Sequence, residues 1–472
     1  MSQQTLAQRL AHYVAGINLQ IFNEQDFAEA QRRVVDSIGC ALGALGNPPA
    51  MIAQALAKEV APAHQKSPRA ALWFSAGHVT SPDVAAFANG VLVRYLDFND
   101  TYLSKEPAHP SDNIAALLAV AESVGASGKQ FLASVILAYE IQCRFCDAAS
   151  LRERGWDHVT YGSISVALAA GWLMGLSETQ LVHALGLAIN PNNAMRQTRV
   201  GELSHWKGCA FANAARNGVF AARLAQLGMT GPAPIFEGEM GFFKQVFGLS
   251  DPTQIQLPMM AHENGNPEPF MIHKTYIKHF PAEYHSQTAI EAALEIRDLL
   301  PPEHLNQLVD LVQSVTIESF DVGIEIIASK PAHWAPQHRE TADHSLPYCT
   351  AVALLEGIIT PDSFDEAHLG NPTLREFLKR VTVERSEEMN AGYPDGIPNR
   401  VTVTFVTGET YTSKISYALG HPKNAMSDEE VTEKFTRQAT GVIASDRQEA
   451  ILNAAWDLTN ATSVSQLAAV LG

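Results

Sequence analysis

The sequence predicts a mainly α-helical protein with a smaller α+β part: a large all-helical domain that the chain leaves and re-enters, with an α+β lid domain inserted. Three observations predict it. As far as Gly248, apolar residues recur almost everywhere at helical spacing, in segments bounded by Gly, Pro, Ser or Asn. The clearest period-two hairpin comes late, at residues 401–406 and 411–417 around Thr407-Gly408-Glu409. Beyond Gly420-His421-Pro422 the helical pattern returns. The domains are therefore expected at 1–267, 268–420 and 421–472.

In chain order, residues 1–23 contain no acid and only Arg9, but the spacing of Leu6, Leu10, Tyr13 and Val14 reads as a first core helix rather than a presequence. A second helix covers 25–45, with Gly39 and Gly43 one turn apart as a close-packing face and Asn47-Pro48-Pro49 expected to stop it. A short strand is expected at 71–74. Ser81-Pro82-Asp83 supplies an N-cap, a proline at the first helical position and an acid in the first turn for a helix over 84–95. Further helices follow at 129–149, 163–174, 178–189 and 209–227. The pattern shifts near Pro267 to a helix at 286–300, a β-rich run at 312–318 and a helix at 346–356. Ser427, Ser445 and Ser463 mark the caps of the returning helices.

Composition narrows the function. The 472 residues carry 33 basic and 50 acidic side chains, a net charge of −17, which argues against nucleic acid or an anionic membrane as partner. Small anions are not excluded, because a few local cations hold them. No apolar run approaches the length of a membrane span. Five scattered cysteines form no disulfide framework and fit a reducing compartment, the cytoplasm by default. Cys143 and Cys146 fall in a helical window without a second pair and read as core residues rather than a redox or zinc site.

The candidate chemistry gathers in the loop at 96–113. Asp97, Asp100, Thr101 and His109 lie there, with Pro107 and Pro110 fixing the backbone around the histidine. Ser111 or Asp112 is expected to cap a helix from Asn113, whose free amides would face an anion near His109. The plain alternative is a surface loop of turn-forming residues. His158 precedes another helix, where a hydrogen-bonded structural histidine is the alternative. Arg196, Arg199, His205 and Lys207 form a cationic cluster suited to polycarboxylates, or a set of exposed loop cations. Residues 273–286 add Lys278 among three histidines at the domain junction, and Tyr348 follows Asp343-His344-Ser345 as a proton donor or a buried, satisfied tyrosine. Dinucleotide, phosphate-loop, zinc-protease and nucleophile-elbow signatures are missing. What remains is acid–base chemistry on an anion, with no cofactor and no metal.

Taken together, LDFNDT at 96–101, HPSDN at 109–113, DHV at 157–159, KHFPAEYHSQTAIEAA at 278–293, DHSLPY at 343–348 and GHP at 420–422 resemble the MmgE/PrpD family over nearly the whole chain. The resemblance implies a helical domain with an α+β lid, a homodimer and an active site in the cleft between the domains. It places Asp97, Thr101, His109, His158, Lys207, Lys278 and Tyr348 around a small di- or tricarboxylate; Arg196 and Arg199 are added as holders of distal carboxylates on charge and position alone. HPSDN and FPAEYHSQTA look like the dehydratase branch, which implies elimination of water from 2-methylcitrate to give 2-methyl-cis-aconitate. Decarboxylation and epimerisation are sister activities, and a non-catalytic carboxylate-binding helical protein is the reading from another class. His109, His158 and Asp97 are the candidates for base and acid, with an orienting role open to Asp97. Two segments, YLSKEPAH before His109 and HWKGCA around Lys207, depart from that branch.

Overall fold

The computed structural model describes residues 4–64, 67–201, 203–249, 251 and 254–472. The chain forms two compact units, one of residues 1–276 with 427–472 and the other of 277–426. The sequence reading puts these junctions earlier, at 267/268 and 420/421, against 276/277 and 426/427 here.

The first unit is built from helices, with one two-residue strand pair, Ala70–Ala71 with Val79–Thr80, where a longer strand was expected at 71–74. At its centre runs Thr160–Leu173, apolar on every side and buried from Thr160 to Gly171. Helix Trp206–Gln226 packs on it. Small residues permit the approach: a Cβ at Gly162 would lie 2.5 Å from the Phe211 ring, and one at Gly218 would lie 2.8 Å from Val166. Helix Pro82–Arg94 also packs on Trp206–Gln226 and ends at the loop that carries Asp97. Helix Gly128–Ala148 holds Cys143 and Cys146 in the core as free thiols.

Helix Glu24–Gly43 is followed by Pro48–Lys58. The prolines expected as a stop signal therefore begin the next helix, in whose first turn no N–H is needed. Gly39 and Gly43 meet the returning helix Asp428–Ala439, where a Cβ on Gly39 would come within 3.0 Å of the Phe435 Cα. That helix starts in a capping box: the Ser427 hydroxyl accepts from the Glu430 amide, and the Glu430 carboxylate accepts from the Ser427 amide at 2.7 Å. Ser445, in contrast, lies inside the first turn of Ser445–Trp456 and Ala444 occupies the cap position. Among the described residues no helix is long and apolar enough to cross a membrane.

The second unit holds a four-stranded sheet in the order Val381–Arg385, Val312–Ser319, Asn399–Phe405, Thr410–Ile415. The first pair is parallel and the other two are antiparallel. Inward residues alternate along Asn399–Phe405, and Val401, Val403 and Phe405 join Val315 and Ile317 in a core closed by helices Gln287–Leu299 and Leu346–Glu356. The expected hairpin turn is present, with Gly408 in the left-handed region at φ 85°. Strand Val381–Arg385 is an addition to the elements read from the sequence.

Candidate active site

The loop after helix Pro82–Arg94 turns sharply at Asp97, a non-glycine residue held at φ 54°. Such a conformation persists where its surroundings over-determine it. Here the last residue of the helix, Arg94, bonds the carboxylate at 2.8 Å, and the Asp97 amide donates to the Arg94 carbonyl at 3.1 Å. The Lys207 ammonium lies 3.4 Å from the other carboxylate oxygen, and His109 Nε2 lies 3.8 Å from the first. Asp97 is thus set among an arginine, a lysine and a histidine, with only 10% of its side chain exposed.

The rest of the loop is tied down by buried polar groups. Asn99 donates to the Ser111 hydroxyl at 2.8 Å and to Asp112 at 2.7 Å. Asp100 accepts from the Ser111 amide at 2.9 Å and from the Tyr139 hydroxyl at 2.6 Å. Ser111 and Asp112 therefore do not cap a helix: residues Pro110–Asn113 form a 3-10 turn, and Ile114–Val124 begins after Asn113 without a side-chain cap. The physical reason is competition. The Ser111 hydroxyl and the Asp112 carboxylate, the oxygens that would cap a helix, are taken by the buried Asn99 amide.

Burial raises the Asp112 carboxyl to about 7, against the pull of Arg94, whose Nε lies 3.5 Å away. Asp100 is raised for the same reason, opposed by Ser111 and Tyr139.

His109 has a fixed tautomer. Its Nδ1 is 2.7 Å from the Asp100 carbonyl oxygen, which can only accept, so Nδ1 carries the hydrogen and Nε2 is the nitrogen presented toward Asp97. The His158 ring lies 5.8 Å from the His109 ring, centre to centre. Its Nδ1 is 3.0 Å from Asp157, and its Nε2 is 3.5 Å from the Arg199 guanidinium, which can only donate. Burial, then the Arg199 charge, pushes His158 down to about 4, so it is a neutral imidazole near pH 7. Burial would raise Asp157, but His158 and Arg199 together hold it well below the usual carboxylate range. The Arg199 Nε stands 3.0 Å from that carboxylate.

Thr101 is buried, and its hydroxyl donates to the Ala108 carbonyl at 3.2 Å. Its backbone pairs with Tyr276, so it closes the loop around His109. Arg196 is half-buried; its amide donates to the Gly155 carbonyl at 2.9 Å, while its guanidinium has no hydrogen-bond or ion-pair partner among the described residues, and burial, only partly offset by the Asp157 charge, lowers its pKa. An uncommitted guanidinium one 3-10 turn from Arg199 suits an anion.

Lys278 and Tyr348 belong to the other unit. Lys278 is buried at 2% exposure. The Tyr348 hydroxyl donates to the Ser363 carbonyl at 2.7 Å, and burial raises its pKa, which is the buried, satisfied state left open by the sequence. Nearby in sequence, Glu283 bonds His285 Nδ1 at 2.8 Å.

Sequence reasoning found Asp97, His109, His158, Arg199 and Lys207, which the structure brings together. It missed Arg94 and Asp157 as their partners, and Asn99 and Asp112 as residues that tie the loop; the acid beside His158, in WDH, was the available signal. Among the described residues no group of three or more His, Cys, Asp or Glu is arranged to hold a metal ion. The arrangement provides one histidine with a fixed tautomer facing a carboxylate, a second, neutral histidine, and cations on either side. That equipment can move a proton on a substrate held by its carboxylates.

Comparison with known proteins bears on the chemistry. The MmgE/PrpD N-terminal domain matches residues 8–255, and the MmgE/PrpD C-terminal domain matches residues 280–459. A 2-methylcitrate dehydratase of Cupriavidus necator is 27% identical over 450 residues, covering 91% of this chain and 89% of the relative. A mitochondrial 2-methylcitrate dehydratase of Yarrowia lipolytica is 30% identical, over 80% of this chain and 74% of the relative. The cis-aconitate decarboxylase of Homo sapiens is 26% identical, over 100% of this chain and 95% of the relative.

Proposed function

The chain belongs to the MmgE/PrpD family, and from that premise we propose that it is a hydro-lyase that eliminates water from 2-methylcitrate to give 2-methyl-cis-aconitate. The observation that carries the reading is the row Arg94, Asp97, His109 with Lys207 on the second Asp97 oxygen, because it joins a proton-exchanging nitrogen to fixed charge.

The carbon acid beside a carboxylate is weak, so its removal needs cations where the enediolate charge develops. Lys207, Arg199 and Arg196 fill that role and hold the substrate carboxylates. His109 Nε2 takes the proton from the carbon. The electron pair of that C–H bond becomes the new C=C bond, the C–O bond breaks, and the hydroxyl takes the proton back from the imidazolium and leaves as water. Only His109 changes charge during the cycle, and Asp97 at 3.8 Å stabilises the imidazolium while Arg94 and Lys207 keep that carboxylate oriented. His158, engaged by Asp157 and Arg199, acts as a neutral wall and hydrogen-bonding partner rather than as the exchanging base. Lys278 and Tyr348 are assigned to the same reaction on their family motifs.

The test is chelator-treated protein with 2-methylcitrate, followed by ultraviolet absorbance of the conjugated alkene and by product mass. Alkene with loss of one water is expected. Carbon dioxide from cis-aconitate, with no alkene from 2-methylcitrate, would replace this activity by decarboxylation, the activity for which the human relative is named. Tight carboxylate binding without turnover would leave a binding protein instead.

A further inference from the structure

We propose that Lys434, on the returning helix Asp428–Ala439, is a positioning residue that holds the Asp97–Asp100 loop in its reactive conformation, with Asp36 as its counter-charge. The proposal deepens the reading above and rests on it for the kinetic consequence only.

Lysine side chains on helices normally reach water. Lys434 instead turns inward and is 1% exposed. Its ammonium donates to the Phe98 carbonyl at 2.8 Å and lies over the Phe98 ring, 3.9 Å from its centre. Asp36 Oδ1, on helix Glu24–Gly43, lies 2.5 Å from the ammonium. One cation therefore grips the residue that immediately follows Asp97.

Asp97 is strained at φ 54°. Arg94 fixes its carboxylate from the preceding helix, and Asn99 and Asp100 are fixed by Ser111, Asp112 and Tyr139. Between those anchors stands Phe98, whose carbonyl is fixed by Lys434. Removing that bond frees the Phe98–Asn99 peptide and, through the Phe98 backbone, loosens the direction of the Asp97 side chain and its separations to His109 and Lys207.

The depth at which Lys434 enters is set by helix packing. Gly39 faces Phe435, the neighbour of Lys434, and Gly43 faces Gln438, where a Cβ would meet the side-chain amide oxygen at 2.2 Å. Helix Asp428–Ala439 can approach this closely only because both positions lack a side chain. The C-terminal return of the chain is thereby coupled to the geometry of the loop.

Removing Lys434 alone strands the Asp36 charge in the interior and risks simple unfolding. The informative variants change both partners. D36L/K434M removes both charges and the donor, and D36N/K434Q removes the charges but keeps a donor for the Phe98 carbonyl. Amide hydrogen exchange reads the loop whatever the enzyme's substrate. In D36L/K434M, the Asp97 and Thr101 amides are expected to exchange about tenfold faster or more, with amides of helix Thr160–Leu173 unchanged and with D36N/K434Q close to wild type.

In turnover, D36L/K434M is expected to lose kcat by on the order of 10- to 100-fold with KM little changed, and D36N/K434Q to recover most of it. Loop exchange equal to wild type in a folded D36L/K434M protein overturns the positioning role. So does wild-type kcat in that variant. Absence of turnover in the wild type would count against the hydro-lyase reading alone, because the exchange result stands without it.

Discussion

Two ion pairs of nearly equal length behave as different interactions because they lie in different surroundings. In the helical unit, Arg94 meets Asp97 at 2.8 Å with 3% and 10% of the two side chains exposed. In the sheet-bearing unit, Arg385 meets Asp321 at 2.6 Å with 52% and 54% exposed. The second pair is the shorter and the weaker. Water screens it, and two long side chains must be immobilised to form it. The same holds for Lys423 with Asp395 and for Lys414 with Glu388. Around Arg94 the low-dielectric interior instead makes each charge depend on its neighbours, so that Asp112 is pushed up to about 7 and His158 down to about 4. Separation alone does not rank ion pairs; desolvation does.

The largest effect that separates the two regions should come from Arg94→Met, which leaves Asp112 buried without its cation and Asp97 with Lys207 in place of two cations. Chemical denaturation should show a loss of roughly 3–5 kcal/mol, and turnover should vanish. A loss no greater than that of a surface variant would erase the distinction.

The pH dependence of stability should come next. An unfolded aspartate ionises near 3.8, while Asp112 in the folded protein keeps its proton to about 7. The folded state thus binds more protons between those values, and the Asp112 contribution to stability falls as pH rises through that window. Asp112→Asn should flatten this fall, measured by urea unfolding at intervals from pH 4 to 8. His158 has the opposite sign. Unfolded, it takes a proton near 6.5, and folded only near 4, so its contribution is lost as pH falls between them. His158→Asn should remove that acid-side loss. An unchanged slope in both variants would contradict the burial argument.

The smallest effect is expected at Arg385→Ala and Lys423→Ala, whose melting temperatures should not differ measurably from wild type. A clear drop in either would mean that the exposed pairs are coupled to the sheet more strongly than their exposure indicates.

Much of this was legible in the sequence where a local rule and the tertiary structure agree. Helices Glu178–Ile189 and Leu346–Glu356 match the residues expected from periodicity and flanking signals, and the Ser427 capping box forms as expected. The 96–113 loop stood out because turn formers and titratable groups coincide there. What was hidden depends on distant residues. Strand Val381–Arg385 reads V-T-V-E-R, too short and too charged to announce itself, and is fixed by parallel pairing with Val312–Ser319. Arg94 in a last helical turn looks like a complement to the helix dipole, and Lys434 in D-E-E-V-T-E-K-F looks like part of a solvated face. Only burial distinguishes a charge that is anchored from one that is merely wet.

The measurement that bears most directly on the central claim, that His109 exchanges the proton beside a fixed carboxylate, compares His109→Ala with wild type in the 2-methylcitrate assay. Melting curves of both proteins serve as the control for folding. An unchanged melting temperature is expected, with turnover lower by on the order of 10²–10⁴-fold. Wild-type turnover from a folded His109→Ala protein would contradict the claim.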